Sequence, residues 1–273
     1  MQLRSLKHTI RNTIIFFFSV SGIAWWYRYL KRRHGNLTRI VVFHDVPDEV
    51  WFESMIRTLT ERFHIITPEE FNAGKRSPDS INVLVTFDDG YASWQNVAVP
   101  ILEKYQVKAL FFVNSGLVER AGNDTDVATF MRDSLRITPR PALTLQGLLA
   151  LKDAGHTIGG HSRTHADLTT LPSEELRFEI EEDKRVLEKI LHVPVTEFAY
   201  PFGMSYHVNE SVVSAVRDAG YSRAYTAISR FAHGSQTFSM PRMCIEDSLT
   251  PRMLTVWMGG AYDVFAYIKE RCV

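Results

Sequence analysis

Two stretches of this chain carry side chains that could together hydrolyse an amide. Thr86-Phe87-Asp88-Asp89-Gly90 sets adjacent carboxylates at the end of an apolar run. Successive side chains of a strand point to opposite sides, so one carboxylate can hold a cation while its neighbour faces a water on that cation. Gly90 allows a sharp turn close to a ligand. His161-Ser162-Arg163-Thr164-His165 sets two imidazoles four apart, a spacing that on a helical turn shares one face and can chelate a single ion. Each stretch also has a plain structural reading. Asp-Asp-Gly is a favoured turn, and a lone His pair is more often surface or satisfied core. Together, one Asp and two His make a facial ligand set that leaves positions for water and substrate. Such an ion acidifies its water and polarises a carbonyl, and the spare carboxylate takes the water's proton.

These groups need a frame, and the hydrophobic pattern supplies one. RIVVFHDV (39–46, after the turn Gly35-Asn36), INVLVTF (81–87), KALFFV (108–113), HTIGGH (156–161), TEFAYPFG (196–203) and a run near 223–228 read as strands. Residues 51–63, 94–105, 145–154, 173–191 and 210–219 carry apolar side chains at helical spacing, and Pro68-Glu69-Glu70-Phe71 opens a further helix. Ser173 is the expected cap of its helix, and Gly155 and Gly220 are stops. Two helices close the chain, from about Pro251 and around 262–269. Residues 114–141 are polar and irregular and read as an insertion or lid-like loop. Strands alternating with helices predict a parallel α/β construction. In that construction ligands bind at the carboxyl ends of the strands, where Asp88, Asp89 and His161 fall.

The chain has 273 residues, 45% of them hydrophobic, enough for one large domain. Lys+Arg and Asp+Glu both number 31, so no net charge favours a nucleic-acid partner. Cys244 and Cys272, the two cysteines, are too few for a disulfide framework and lack zinc-finger spacing.

The first 38 residues form a segment apart. Ile14 to Tyr27 carries no charge; Arg4, Lys7 and Arg11 precede it, and Arg28, Lys31, Arg32 and Arg33 follow. As a helix the run is only ~21 Å long, short of a ~30 Å hydrocarbon core. A cleaved signal peptide lacks a small-residue cleavage site at Trp25-Trp26-Tyr27. A single anchor would leave more positive charge on its C-terminal flank and favour a cytoplasmic face for the domain. An interfacial helix, contacting the membrane through residues 13–33, is the preferred expectation. The competing one is that Phe16–Phe18 and Trp25–Trp26 simply cover part of the domain.

VTFDDG, AGHTIGGHSRTHADL and FAYPFG, in this order and spacing, make the chain resemble the polysaccharide deacetylase family, the NodB-homology or carbohydrate esterase family four group. The likeness runs from about Ile40 to about residue 245. It implies a distorted parallel (β/α) barrel, TIM-like with about seven strands, over residues 39–273. By the same resemblance Asp89, His161 and His165 hold a divalent metal, with Zn2+ the favoured ion, and Asp88 is the catalytic base. Ser162 fixes the loop between the ligands, and Tyr200, Pro201, Phe202 and Gly203 line the substrate groove. The implied activity is removal of acetyl groups from N-acetylated sugars of a poly- or oligosaccharide or a glycolipid.

Two departures from the family pattern stand out. Many relatives carry an arginine in the third motif that orients the catalytic Asp; here the stretch is Ala199-Tyr200. A late Leu-x-His supplying the general acid is also not evident. His44, at the end of the first strand, is the candidate to replace it, with His233 behind it. His156, His192 and His207 are expected to face solvent or cap helices. Of the aromatics Phe198, Tyr200, Phe202 and Tyr206, alternation puts half in the core and leaves half to stack on sugars. The departures motivate an alternative: a catalytically silent carbohydrate-binding or assembly protein that keeps the fold.

Overall fold

The computed structural model describes residues 2–33, 36–233 and 236–271; Gly35 and Cys272 lie outside the described residues. Helices α1 (Gln2–Val20) and α2 (Ile23–Arg32) precede β1 (Thr38–Phe43). There follow α3 (Glu49–Arg62), β2 (His64–Ile65), α4 (Pro68–Asn72) and β3 (Asn82–Asp89). A wide helical turn at Trp94–Ala98 leads into α5 (Val99–Lys104), then β4 (Leu110–Val113), α6 (Ser115–Arg120), α7 (Asp124–Asp133), α8 (Leu145–Asp153) and β5 (Thr157–Gly160). The chain closes with α9 (Ser173–Leu191), β6 (Glu197–Ala199), α10 (Glu210–Asp218), β7 (Arg223–Tyr225), β8 (Met243–Cys244), α11 (Pro251–Met258) and α12 (Ala261–Arg271).

Seven strands pair in the order β7-β6-β5-β4-β3-β1-β8, with β2 attached beside β3, and every pairing is parallel. The sheet curls, and its ends approach where Met240 bridges to Tyr225 of β7. Every residue of β1, β3 and β4 is buried, as expected when both faces of a parallel sheet are covered. Alternation divides them. Val41, Phe43, Val83, Val85, Phe87 and Phe111 join the cluster that also holds Phe52, Met55 and Leu59 of α3. Ile40, Leu84, Leu110 and Phe112 join a smaller cluster with Tyr225.

Register then sets the site. Phe43 lies opposite Phe87, Asp89 opposite Val113, Val113 opposite Gly160, and Gly160 opposite Phe198. The residues just past these positions, among them His44, His161 and Ala199, therefore emerge at one edge of the sheet.

Three expectations change. Residues 114–141 are not a loop throughout. Asn123 caps α7 by accepting from the amides of Thr125 and Asp126, and Val127, Phe130 and Met131 are buried at helical spacing. Ser173 is the first residue of α9 rather than its cap; Pro172 holds the cap position with no side-chain bond. The N-terminal segment is two helices, not one, because Gly22 breaks the run in the left-handed region (φ 83°). Among the described residues no helix is long and apolar enough to cross a membrane. Ile15 of α1 and Ala24 of α2 are buried, and both helices pack against α12, with α1 also touching α11.

Candidate metal centre

Asp88 and Asp89 line one cavity of about 370 Å³ together with His44, Tyr91, His161, His165, Tyr200, Phe202 and Arg242. Strict alternation would have sent the two carboxylates to opposite faces. Asp89 escapes it by adopting φ 88°, followed by Gly90 at φ 124°. Strained left-handed backbone at a non-glycine residue persists only where its surroundings hold it. Here Asp89 Oδ2 accepts from the Tyr91 hydroxyl at 2.9 Å, and Oδ1 faces both imidazoles.

Those imidazoles do not meet on a helix. Residues 161–165 are loop, with Ser162 at φ 62° and His165 at φ 58°. The Ser162 hydroxyl accepts from the His165 amide at 3.1 Å and so closes the turn. Asp183 of α9 accepts from the amides of His161 (3.1 Å) and Ser115 (2.8 Å), tying the loop to the end of β4. Burial pushes the Asp183 carboxyl up to about 7, against the opposing effect of these donors.

His161 Nε2 stands 3.5 Å and His165 Nε2 3.6 Å from Asp89 Oδ1. These spacings exceed good hydrogen bonds. They fit the edge of a coordination tetrahedron with ~2.0–2.1 Å bonds, which is about 3.4 Å. One ligand atom from each of the three residues lies within 4.8 Å of the others, and all three residues are buried. His161 Nδ1 lies 2.8 Å from the Ala199 carbonyl. A carbonyl only accepts, so Nδ1 carries the proton and Nε2 offers its lone pair, the tautomer a metal ligand needs. The donor set therefore fits a divalent cation.

The electrostatics differ between the two imidazoles. Burial drives the His165 imidazole down to about 4, only partly opposed by Asp89, so it is neutral at pH 7. Burial also disfavours charge on His161, but Asp88 and Asp89 outweigh it and raise that pKa. Asp89 is held low: the nearby imidazoles overcome the effect of burial.

Asp88 is not part of the ligand triangle. Arg242 Nη1 and Nη2 donate to its two oxygens at 2.6 Å each, and the guanidinium is 1% exposed. Burial would raise the Asp88 carboxyl, but Arg242 and then His161 bring it below the usual carboxylate range. The sequence reading missed both Arg242 and Tyr91. Arg242 sits just ahead of the two-residue β8, far from every motif, and no spacing marks it.

Of the other named residues, Tyr200 and Phe202 line the cavity. Tyr200 is nearly buried and spends its hydroxyl on the Phe238 carbonyl (3.0 Å). Phe202 packs edge-on against His165, with centroids 4.6 Å apart. Pro201 and Gly203 are buried and shape the turn: a Cβ on Gly203 would come within 2.5 Å of the Ala227 amide nitrogen. Phe198 is core and Tyr206 is exposed. His44 follows β1 and is exposed at the mouth, where a second cleft of about 710 Å³ adjoins and shares His44, Tyr91 and Ile137 with the first.

His233 does not reach this site. It lines a separate pocket with Thr38, at the opposite end of β1. His156 is buried rather than solvent-facing: its Nδ1 accepts from the Ala109 amide at 3.1 Å, and its ring stands edge-on to Phe111. His192 ends α9 in the left-handed cap position. His207 is partly covered, between Phe202 and Tyr206.

Comparison with known proteins adds an independent line. The family model described as polysaccharide deacetylase matches residues 75–224, more than half of the chain. The match begins after β1, so it does not include His44. YxkH of Bacillus subtilis (strain 168), a polysaccharide deacetylase by name, is 25% identical over 179 residues, covering 64% of this chain and 56% of the relative. A peptidoglycan-N-acetylglucosamine deacetylase of Bacillus cereus is 27% identical over 140 residues, covering 51% and 53%. The chain thus spans about half the length of these relatives. Among solved structures, the Streptococcus pyogenes deacetylase PplD, in complex with acetate, superposes with a TM-score of 0.66 at 24% identity, covering 81% of this chain and 98% of that one. At that identity the likeness speaks to the fold.

Proposed function

The chain belongs to the polysaccharide deacetylase family, and on that premise we propose that it is a metal-dependent hydrolase removing acetyl groups from N-acetylated sugars of a poly- or oligosaccharide or a glycolipid. One observation carries the reading. Asp89, His161 and His165 converge on a point at a cavity wall, while Asp88 stands beside them outside the ligand set.

A divalent cation held by those three residues, Zn2+ in our reading, would polarise the acetyl carbonyl and acidify the attacking water. The chain's own groups do the rest. Asp88 accepts the water's proton as oxygen attacks the carbonyl carbon. Each carboxylate oxygen retains a lone pair beyond the one Arg242 occupies, so the grip orients Asp88 without blocking it. Arg242 also keeps Asp88 ionised, and Tyr91 fixes the rotamer of Asp89. His44 delivers a proton to the sugar nitrogen as the C–N bond breaks, giving acetate and the amine. Phe202 and Tyr200 offer apolar wall to the acetyl methyl and sugar ring, and the adjoining cleft has room for a neighbouring sugar.

The silent-protein alternative drew its force from the third motif's missing arginine. Arg242, arriving from a different segment, supplies that partner, so the enzyme reading is preferred. The test is acetate release by the metal-reconstituted chain from chito-oligosaccharides, peptidoglycan and other N-acetylated glycans, with free amine measured in parallel to separate N- from O-deacetylation. Sugar binding without acetate release at any metal concentration would sink the proposal.

A further inference from the structure

The two N-terminal helices form a hairpin fastened to the domain through one face only. Arg11 of α1 donates to both oxygens of Glu246 at 2.6 and 2.8 Å. Arg28 of α2 donates to the Gly259 carbonyl at 2.6 Å, and Tyr27 stacks on Phe231. With Ile15 and Ala24 buried beneath, this face is fully used.

The opposite face stands largely open among the described residues. Phe17 is 61% exposed, Val20 64%, Trp25 58% and Trp26 55%, and Ile23 and Tyr29 continue the patch. Trp25 and Trp26 each stack on Tyr29, at 5.7 and 5.6 Å between centroids, so the rings pack on one another instead of on the core. Isolated apolar residues on a surface need no explanation, but a contiguous aromatic patch of this kind does.

Charge identifies what covers it. No acidic residue precedes Asp45. Arg11 and Arg28 are committed inward and Lys31 lies over the ring of the inward-facing Tyr27, which leaves Arg32 and Arg33 exposed at the end of α2, beside the aromatic patch. Arg33 lies over the Tyr29 ring, and Arg32 reaches only the Asp79 carbonyl. Tryptophan and tyrosine flanked by cations suit the boundary between acyl chains and anionic headgroups. A second copy of the chain suits it poorly, since a two-fold contact would set one basic cluster against another. With 19 residues in α1, 10 in α2 and a break between them, the hairpin is built to lie on a bilayer.

We propose that the outer face of the α1–α2 hairpin is a docking surface for an anionic lipid bilayer. Trp25 shares a cleft with Leu37 and Ile81, which precede β1 and β3. The patch therefore sits at the sheet edge opposite Asp88, and docking leaves the mouth of the metal centre clear. This inference is independent of the reaction proposed above.

The experiment is co-sedimentation of the full chain with vesicles of phosphatidylglycerol and phosphatidylcholine, and with phosphatidylcholine alone. Expected is partition into the anionic vesicles, reduced about 10-fold or more in Trp25→Ser/Trp26→Ser and in Arg32→Glu/Arg33→Glu. Both variants should stay folded and melt within about 5 °C of the parent, because they lose half-exposed rings and the one Arg32 bond to the Asp79 carbonyl while the inward contacts of Arg11, Ile15, Ala24 and Arg28 are kept. Three results would overturn it: no partition of the parent at any lipid concentration, equal partition of parent and both variants, or a solution dimer that the Trp variant dissolves without any vesicle binding.

Discussion

Arg242 donates to both oxygens of Asp88, at 2.6 Å each, and the pair is buried on the wall of the cavity that also holds Asp89, His161 and His165. A buried pair is strongly dependent on both members, because losing one strands the other's charge. Arg242→Ala is therefore expected to destabilise the fold by about 3 kcal/mol or more by denaturant unfolding. It should also raise the Asp88 pKa, moving the acidic limb of the pH–rate profile upward. Arg242→Lys keeps the charge but loses the bidentate fork, so it should recover much of the stability and less of the rate. An unshifted acidic limb in both variants would remove Arg242 from any role in setting Asp88.

Chelation should abolish acetate release, and added zinc should restore it. Asp89→Asn is expected to weaken zinc binding at least ~100-fold, read by calorimetry or by metal content after dialysis. Parent-like zinc affinity in that variant would place the metal elsewhere.

His44→Ala should lower kcat by about 10²–10⁴-fold without changing zinc content. His44 is exposed and outside the ligand set, so its loss should leave the melting temperature unchanged. A lowered zinc content would instead make it a ligand.

His156 ties stability to pH away from the metal centre. Burial lowers its pKa from 6.5 to about 4, so the folded state resists a proton that the unfolded chain accepts. Its contribution is complete above pH 6.5 and is lost as pH falls from 6.5 to about 4, to a total of about 3 kcal/mol. His156→Asn keeps an acceptor for the Ala109 amide but cannot titrate in this window. Its unfolding free energy should fall less steeply across that interval than the parent's.

Gly203→Ala is expected to cost about 2 kcal/mol or more. Gly203 has φ 61°, and an added Cβ would meet the Ala227 backbone at 2.5 Å. Because the neighbouring Phe202 packs against His165, zinc affinity should fall along with stability. Thermal melts and zinc titration check both.

Much of this molecule is written locally. The unbroken apolar run at 81–87, the 3.6-residue period of 173–191 and the Thr67–Glu70 capping box at the start of α4 depend on neighbours in sequence, and there the elements fall close to where the pattern put them. The candidate ligand group was also legible, because Asp89, His161 and His165, which converge in the fold, sit inside compact motifs at strand ends. Local pattern misled over 114–141, where polar residues cover the outer face of α7 and hide a short buried stripe. Long-range packing decided the rest. Arg242 belongs to Asp88 only because β8 lies beside β1 in the sheet, a pairing across some two hundred residues that no window spans. The left-handed backbone of Asp89, Ser162 and His165 is likewise imposed by the converging loops, since it costs energy that only tertiary contacts offset. The sequence by itself determined which groups could do the chemistry; the folded chain decided which of them face one another, and which arginine holds Asp88 in place.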